Sequence, residues 1–424
     1  MIQSVKSYTG GFLSLLVLPI LLITQPVNAQ SSDERVYTGI EVLARQDFKP
    51  LQGKKVGLIT NPTGVNYHLE STIDLLHQAP EVELVALYGP EHGVRGDYDA
   101  GEKVEQNVDE KTGVPVYSLY GQHRKPTQEM LDGLDVLVYD IQDIGVRSYT
   151  YISTMGLAME AAAEAGIEVM VLDRPNPLGG NRMEGSLVEE GYYSFVSQFE
   201  IPYIYGMTSG ELAKMLNQEG MLEDGKKCDL TVIPMENWKR SMTFPETGLP
   251  WVPTSPHIPR TKSALYYAAT GVMGELGIIS EGVGYTLPFE TYAAEWIDSQ
   301  EMADAMNALD LPGVRFRPIT FKPFYGRHEG KRLHGVQIHI QDAEGLDLMA
   351  MQFKFMDVHN ELYPDKNPFE MAKEGRLRMF DKVAGTDRLR KLFTKNMDYE
   401  DIRELMNEDI EAFRKKAEPY FIYD

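Results

Sequence analysis

From Lys54 onward, short apolar runs alternate with amphipathic stretches, and this alternation restricts the possible folds more than any other feature of the chain. KKVGLIT (54–60), VELVALYG (82–89), DVLVYDIQ (135–142) and IEVMVLD (167–173) are nearly continuous runs of β-branched residues and leucine. Such runs suit strands covered on both faces. Between them, LESTIDLLHQA (69–79) and ISTMGLAMEAAAEAG (152–166) carry helical periodicity, and Gly166 supplies a stop. Strand alternating with helix predicts a mostly parallel sheet with right-handed crossovers, an α/β fold of the Rossmann-like, doubly wound kind.

MTSGELAKMLNQEG (207–220) sets Thr208 three residues before Glu211, the spacing of a capping box, and CDLTVIPM (228–235) follows as the last strand of the layer. The proline-rich FPETGLPWVPTSPHIPR (244–260) cannot lie inside regular structure. The boundary is therefore set just before it, with a doubly wound α/β domain at 30–240 and a second domain at 241–424. In the latter, helical patterns near 262–270, 346–363 and 387–417 accompany a strand at 335–342.

The first 29 residues combine Lys6, an apolar run from Phe12 to Ile23 and the small-residue site Val27-Asn28-Ala29. They read as a secretory signal peptide, the run falling short of the roughly 20 residues a membrane span needs. Export to the periplasm or beyond is expected, without stable membrane insertion. A net charge of −22 leaves no electrostatic footprint for nucleic acid. The single cysteine, Cys228, excludes an internal disulfide framework and reads as a small core residue.

In open α/β sheets ligands bind beyond the carboxyl ends of the strands. Those ends carry Thr60-Asn61-Pro62, Pro90-Glu91-His92, Gln142-Asp143 and Asp173-Arg174-Pro175-Asn176. Asn61, Asp143 and Asn176 are also good turn formers and caps. Their coincidence at one rim with Glu91-His92 and Arg174 nevertheless marks it as a candidate site. Glu281, in GELGIISEGVGYTLPFE (274–290), and Glu184, in DRPNPLGGNRMEGSLVE (173–189), occupy similar glycine-rich contexts. The first turn, TNPTGV, lacks a dinucleotide fingerprint, no phosphate-binding loop or nucleophile elbow is visible, and no cofactor is expected. His92, Asp143, Asp173 and His257 include potential ligands, but none forms a zinc-motif pair, so no metal is expected.

With LYGPEHGVRG, YDIQDIGVRSYTY, VLDRPNPLGG, IPYIYGMTSGELA and SEGVGYTLPFE in order, the sequence resembles the bacterial exo-β-N-acetylmuramidases. These are glycoside hydrolases that release terminal N-acetylmuramic acid from peptidoglycan fragments. The resemblance implies a Rossmann-like N-terminal domain, a smaller C-terminal α/β domain and an active-site cleft between them, and it places the family's Glu-His-Gly glutamate on Glu91 and its later Glu-Gly glutamate on Glu281. Val283-Gly284-Tyr285-Thr286-Leu287 departs from the family pattern of an arginine and two threonines.

Glycoside hydrolysis needs an acid for the leaving oxygen and a second group acting at the anomeric carbon. Glu91 is expected as the acid, with His92 or Asp143 sharing its proton. Glu281 or Asp143 would activate water, or a carboxylate would hold the substrate's own acetamido group. Arg95, Arg147 and Arg174 are expected to receive the lactyl carboxylate, and Tyr149 and Tyr151 a sugar face. Asn61, Gln142, Asp173, Asn176 and Glu184 complete the expected contacts to a muramic-acid-containing saccharide. Two alternatives remain at this point: an exported protein that only binds cell-wall sugars, and a metal-dependent hydrolase or amidase.

Overall fold

Seven strands form the larger sheet: β1 (Lys55–Thr60), β2 (Glu83–Gly89), β3 (Asn107–Val108), β4 (Pro115–Ser118), β5 (Val136–Asp140), β6 (Glu168–Leu172) and β7 (Leu230–Ile233), in the order β3-β4-β2-β1-β5-β6-β7. Six run parallel, and only the edge strand β3 is antiparallel to its neighbour. The computed structural model describes Met1, Ser4 and residues 35–96 and 107–424; except for Met1 and Ser4, the stretch read as a signal peptide lies outside the described residues. Residues 36–424 form one compact unit.

The central strands are covered on both faces, as their unbroken apolar runs require. Helices α1 (Gly39–Arg45) and α2 (Thr72–Gln78) pack Ile40, Leu43, Ile73 and Leu76 against Leu58, Val138 and Leu172. After α3 (Gln128–Leu131), helices α4 (Tyr151–Ala165) and α5 (Ser209–Gln218) cover the other face through Met155, Met159, Leu212 and Leu216. The expected capping box closes α5: the Thr208 hydroxyl accepts from Glu211 N, and Glu211 Oε2 accepts from Thr208 N. Gly166 ends α4 at φ 69°. Cys228 is a buried free thiol.

Beyond α6 (Ser263–Gly274), a smaller antiparallel sheet is built from β8 (Thr291–Ala294), β9 (Val314–Phe321) and β10 (Leu333–Ile340) in the order β8-β10-β9. Helices α7 (Ser299–Ala308) and α8 (Leu348–Leu362) complete its layer, and Met273, Val336, Phe353 and Phe355 share one core with Ile144 and Tyr203 from the first half. The chain then returns. Phe413, Ala417 and Tyr420 are buried in the core of the large sheet, and the Tyr423 hydroxyl donates to Asp173.

Candidate active site

The sheet order reverses between β1 and β5, whose carboxyl ends lie side by side with Thr60 opposite Asp140. This is the switch point where open α/β sheets bind ligands. The turn after β2 brings Glu91 and His92 to the same edge. His92 has φ 75°, a left-handed conformation that a non-glycine residue adopts at a cost, and Gly93 follows at φ 75°. Both Glu91 and His92 are partly buried, and His92 Nδ1 has no partner.

Asp143 is more deeply set, at 5% exposure. Its Oδ2 accepts from Gly145 N at 2.6 Å and from the Tyr205 hydroxyl, while Oδ1 is buried with no partner. Burial pushes this carboxyl up to about 7, against the pull of those hydrogen bonds. An orphaned carboxylate oxygen is costly unless something else fills its place.

Tyr151 and Tyr267 connect the two acids. Both phenols are raised, first by burial, and both also feel the negative charge of Glu91 and of Asp143. Tyr120 faces Glu91 from the β4 side, raised by burial and then by the Glu91 charge. Tyr149 stands edge-on to Tyr151 and Tyr267, with ring centroids 5.0 and 5.7 Å away. The hydroxyls of Tyr149 and Tyr151 are held by Thr254, at 2.6 Å each. Asn61 binds Thr63 through Oδ1, at 3.0 Å from the amide, and leaves Nδ2 unpartnered. Two carboxyls, an imidazole and an amide thus gather among five tyrosines, Tyr205 on Asp143 included. Tyr120, Tyr205 and Tyr267 were not foreseen. Tyr205 lies in the IPYIYGMTSGELA motif, whereas nothing local to Tyr267 announces it.

Several expected binding residues are committed elsewhere. Arg147 is fully buried and donates to Ser197 Oγ and to the carbonyls of Ser186, Ile201 and Val383. Arg174 forms a two-bond pair with Asp140 and reaches the Val65 carbonyl. Arg95 binds Asp109 and Asp74. These three guanidiniums bond chain segments to one another. Asp173 takes bonds from Arg174 N, Gly210 N, Thr208 and Tyr423, and so anchors α5. Asn176 bridges Met207 O and Leu178 N, and the Gln142 amide binds the carbonyls of Asp143 and Pro175. Glu184 pairs with Arg182 and accepts from Met349 N at the start of α8. Two needs account for these bonds: buried backbone groups near the strand ends take partners from side chains, and the guanidiniums of Arg95, Arg174 and Arg182 pair with carboxylates.

Two profiles of the family described as exo-beta-N-acetylmuramidase NamZ match the chain, the N-terminal one over residues 56–262 and the C-terminal one over 265–423. The chain belongs to the NamZ family. It is 46% identical over 396 residues to the peptidoglycan beta-N-acetylmuramidase NamZ of Bacillus subtilis strain 168, covering 93% of each chain. Crystal structures of two DUF1343 family proteins from Bacteroides fragilis NCTC 9343 are also similar. One has a TM-score of 0.89 at 55% identity over 92% of this chain and all of that one; the other has 0.74 at 29% over 92% and 99%.

In this NamZ-family chain the second glycine-rich glutamate, Glu281, is 8% exposed and raised by burial. The largest charges acting on it are those of Arg327, Glu275 and Arg376. Among the described residues, no group of three or more His, Cys, Asp or Glu side chains is arranged to hold a metal ion, and no helix is long and apolar enough to cross a membrane. His257 approaches His92, whose charge adds to burial in lowering its pKa.

Proposed function

We propose that the chain is an exo-acting glycoside hydrolase that releases terminal N-acetylmuramic acid from peptidoglycan fragments, with Glu91 and Asp143 as its two working carboxyls. The observation that carries this reading is the pairing of the partly buried Glu91 with the buried Asp143 around Tyr151 and Tyr267, at a sheet edge where Asp143 Oδ1 lacks a partner. Glu91 protonates the glycosidic oxygen. Asp143 Oδ1 accepts the N–H of the substrate's acetamido group, whose carbonyl oxygen thereby bonds to the anomeric carbon as the bond to the leaving oxygen breaks, and water then opens the oxazolinium ion to give the free sugar. His92, through its unpartnered Nδ1, orients the leaving group or the Glu91 proton. The partner is then a muramic-acid-containing saccharide, and the B. subtilis relative, named for its action on peptidoglycan, supports that choice.

General-acid assistance is worth roughly 10²–10⁴ in rate. Glu91→Gln should lower turnover of a natural disaccharide by that factor, and less for an aryl glycoside whose leaving group needs little protonation. Wild-type rates on both substrates would remove Glu91 from the acid role. Sugar binding without cleavage by the wild-type protein would favour the sugar-binding alternative.

We also propose export, on Lys6, the apolar run 12–23 and Val27-Asn28-Ala29. Sequencing of the mature N-terminus should begin near Gln30, and an intact first residue on a membrane-bound product would refute it.

A further inference from the structure

Four aromatic rings stand out as exposed among the described residues, and two of them, Phe324 at 64% and Tyr325 at 48%, are neighbours on the loop that follows β9. Single exposed rings are ordinary, whereas adjacent ones forming a contiguous apolar patch point to a binding surface. These two are also held in place. Phe324 N donates to Gly284 O at 2.7 Å, and Gly330 N to Pro323 O at 3.1 Å. The Tyr325 hydroxyl bonds His257 Nε2 at 2.7 Å, the two rings stacked at 5.9 Å and 21°. Tyr285 lies under the loop, 4.8 Å from the Phe321 ring and 5.5 Å from that of Phe324. Gly284 makes this seat possible, because at φ 94° a Cβ there would stand 2.2 Å from the Tyr325 carbonyl oxygen.

The platform adjoins the candidate active site through His257, which joins Tyr325 on one side and feels the charge of His92 on the other. We propose that Phe324, Tyr325 and Tyr285 form an aromatic platform for the sugar on the leaving-group side of the bond that Glu91 breaks. This rests on the hydrolase reading above. The choice of occupant follows from chemistry. An N-acetylated hexose carries no charge and offers a face of C–H groups that packs on a ring. The muramic residue brings a carboxylate that suits the loop's flanking cations, such as Lys322 and Arg327, rather than the ring faces themselves.

The test compares kcat/KM on two substrates: the disaccharide of N-acetylmuramic acid β-linked to N-acetylglucosamine, and the 2,2,2-trifluoroethyl β-glycoside of N-acetylmuramic acid, whose small leaving group has neither sugar face nor ring. Phe324→Ala should depress the disaccharide about tenfold more than the trifluoroethyl glycoside, and Phe324→Trp, which keeps an aromatic face, should recover most of the difference. Equal losses on both substrates, or no loss on the disaccharide, would overturn the platform alone. A wild-type protein inert towards both would overturn the hydrolase reading itself, and the platform with it.

Discussion

Asp143 carries a charge problem that its neighbours only partly relieve. Its folded value, about 7, lies above the ordinary 3.8 because burial outweighs the bonds from Tyr205 and Gly145. The folded chain therefore binds this proton more tightly than the unfolded one, and its contribution to stability is complete below about pH 4 and lost as pH rises through 7. Each tenfold difference in proton affinity between the two states is worth about 1.4 kcal/mol, so the loss amounts to a few kcal/mol. Asp143→Asn removes that penalty, so its urea midpoint should exceed the wild type's at pH 8 and match it only near about pH 3.5, below the unfolded value, while turnover falls at least about a hundredfold. A midpoint below wild type at both pH values would make Asp143 a structural residue. If ionised Asp143 receives the acetamido N–H, wild-type turnover should also fall as pH drops below about 7. The rim residues themselves were legible, because strand ends can be found from apolar runs. Which of them are free was not: Asp173 is occupied by Tyr423, 250 positions away, and Arg147 by a carbonyl 236 positions away.

At the scale of elements, the central strands β1, β2, β5 and β6 fall within a residue or two of their apolar runs, since strands buried on both faces admit little else. The missed strands are those with weaker demands. β3 and β4 are short and lie at one edge, β8 is a four-residue edge strand of the small sheet, and β9, at that sheet's other edge, alternates buried and exposed positions and contains Pro318, which only an edge strand tolerates. The loop after β5 depends on a glycine that the apolar pattern does not reveal. Gly145 has φ 79°, donates its N–H to Asp143, and faces Asn176 so closely that a Cβ would lie 2.2 Å from Asn176 Oδ1. Gly145→Ala should cost roughly 2–4 kcal/mol, combining a left-handed conformation with a displaced buried amide. It should also lower kcat, because Asp143 loses its orientation. Unchanged melting and unchanged turnover would show that the loop adapts freely.

For the whole molecule, the two halves matched by the NamZ profiles are fastened by polar contacts as well as by a shared apolar core. Arg147 is one of these fasteners: it leaves the loop after β5, lies at 0% exposure, and reaches Ser186, Ser197 and Ile201 in the first half and Val383 in the helix Glu374–Ala384 of the second. Gly385 leaves room for the guanidinium, since a Cβ there would come within 2.7 Å of Nη2. Burial depresses this guanidinium, and no carboxylate pairs with it among its hydrogen bonds, so its stability rests on four donated bonds. Arg147→Met would fill much of the volume but strand three carbonyls and a hydroxyl without donors. Each stranded group costs about 1–3 kcal/mol, partly offset by no longer burying a charge, for a net loss of roughly 3–5 kcal/mol. Arg147→Lys should recover little, because one ammonium cannot span acceptors spread around a planar fork. Urea unfolding followed by tryptophan fluorescence would measure both variants. A change under about 0.5 kcal/mol in Arg147→Met would mean that the shared apolar core alone holds the halves together, whereas the expected loss would place the fastening in this one buried side chain.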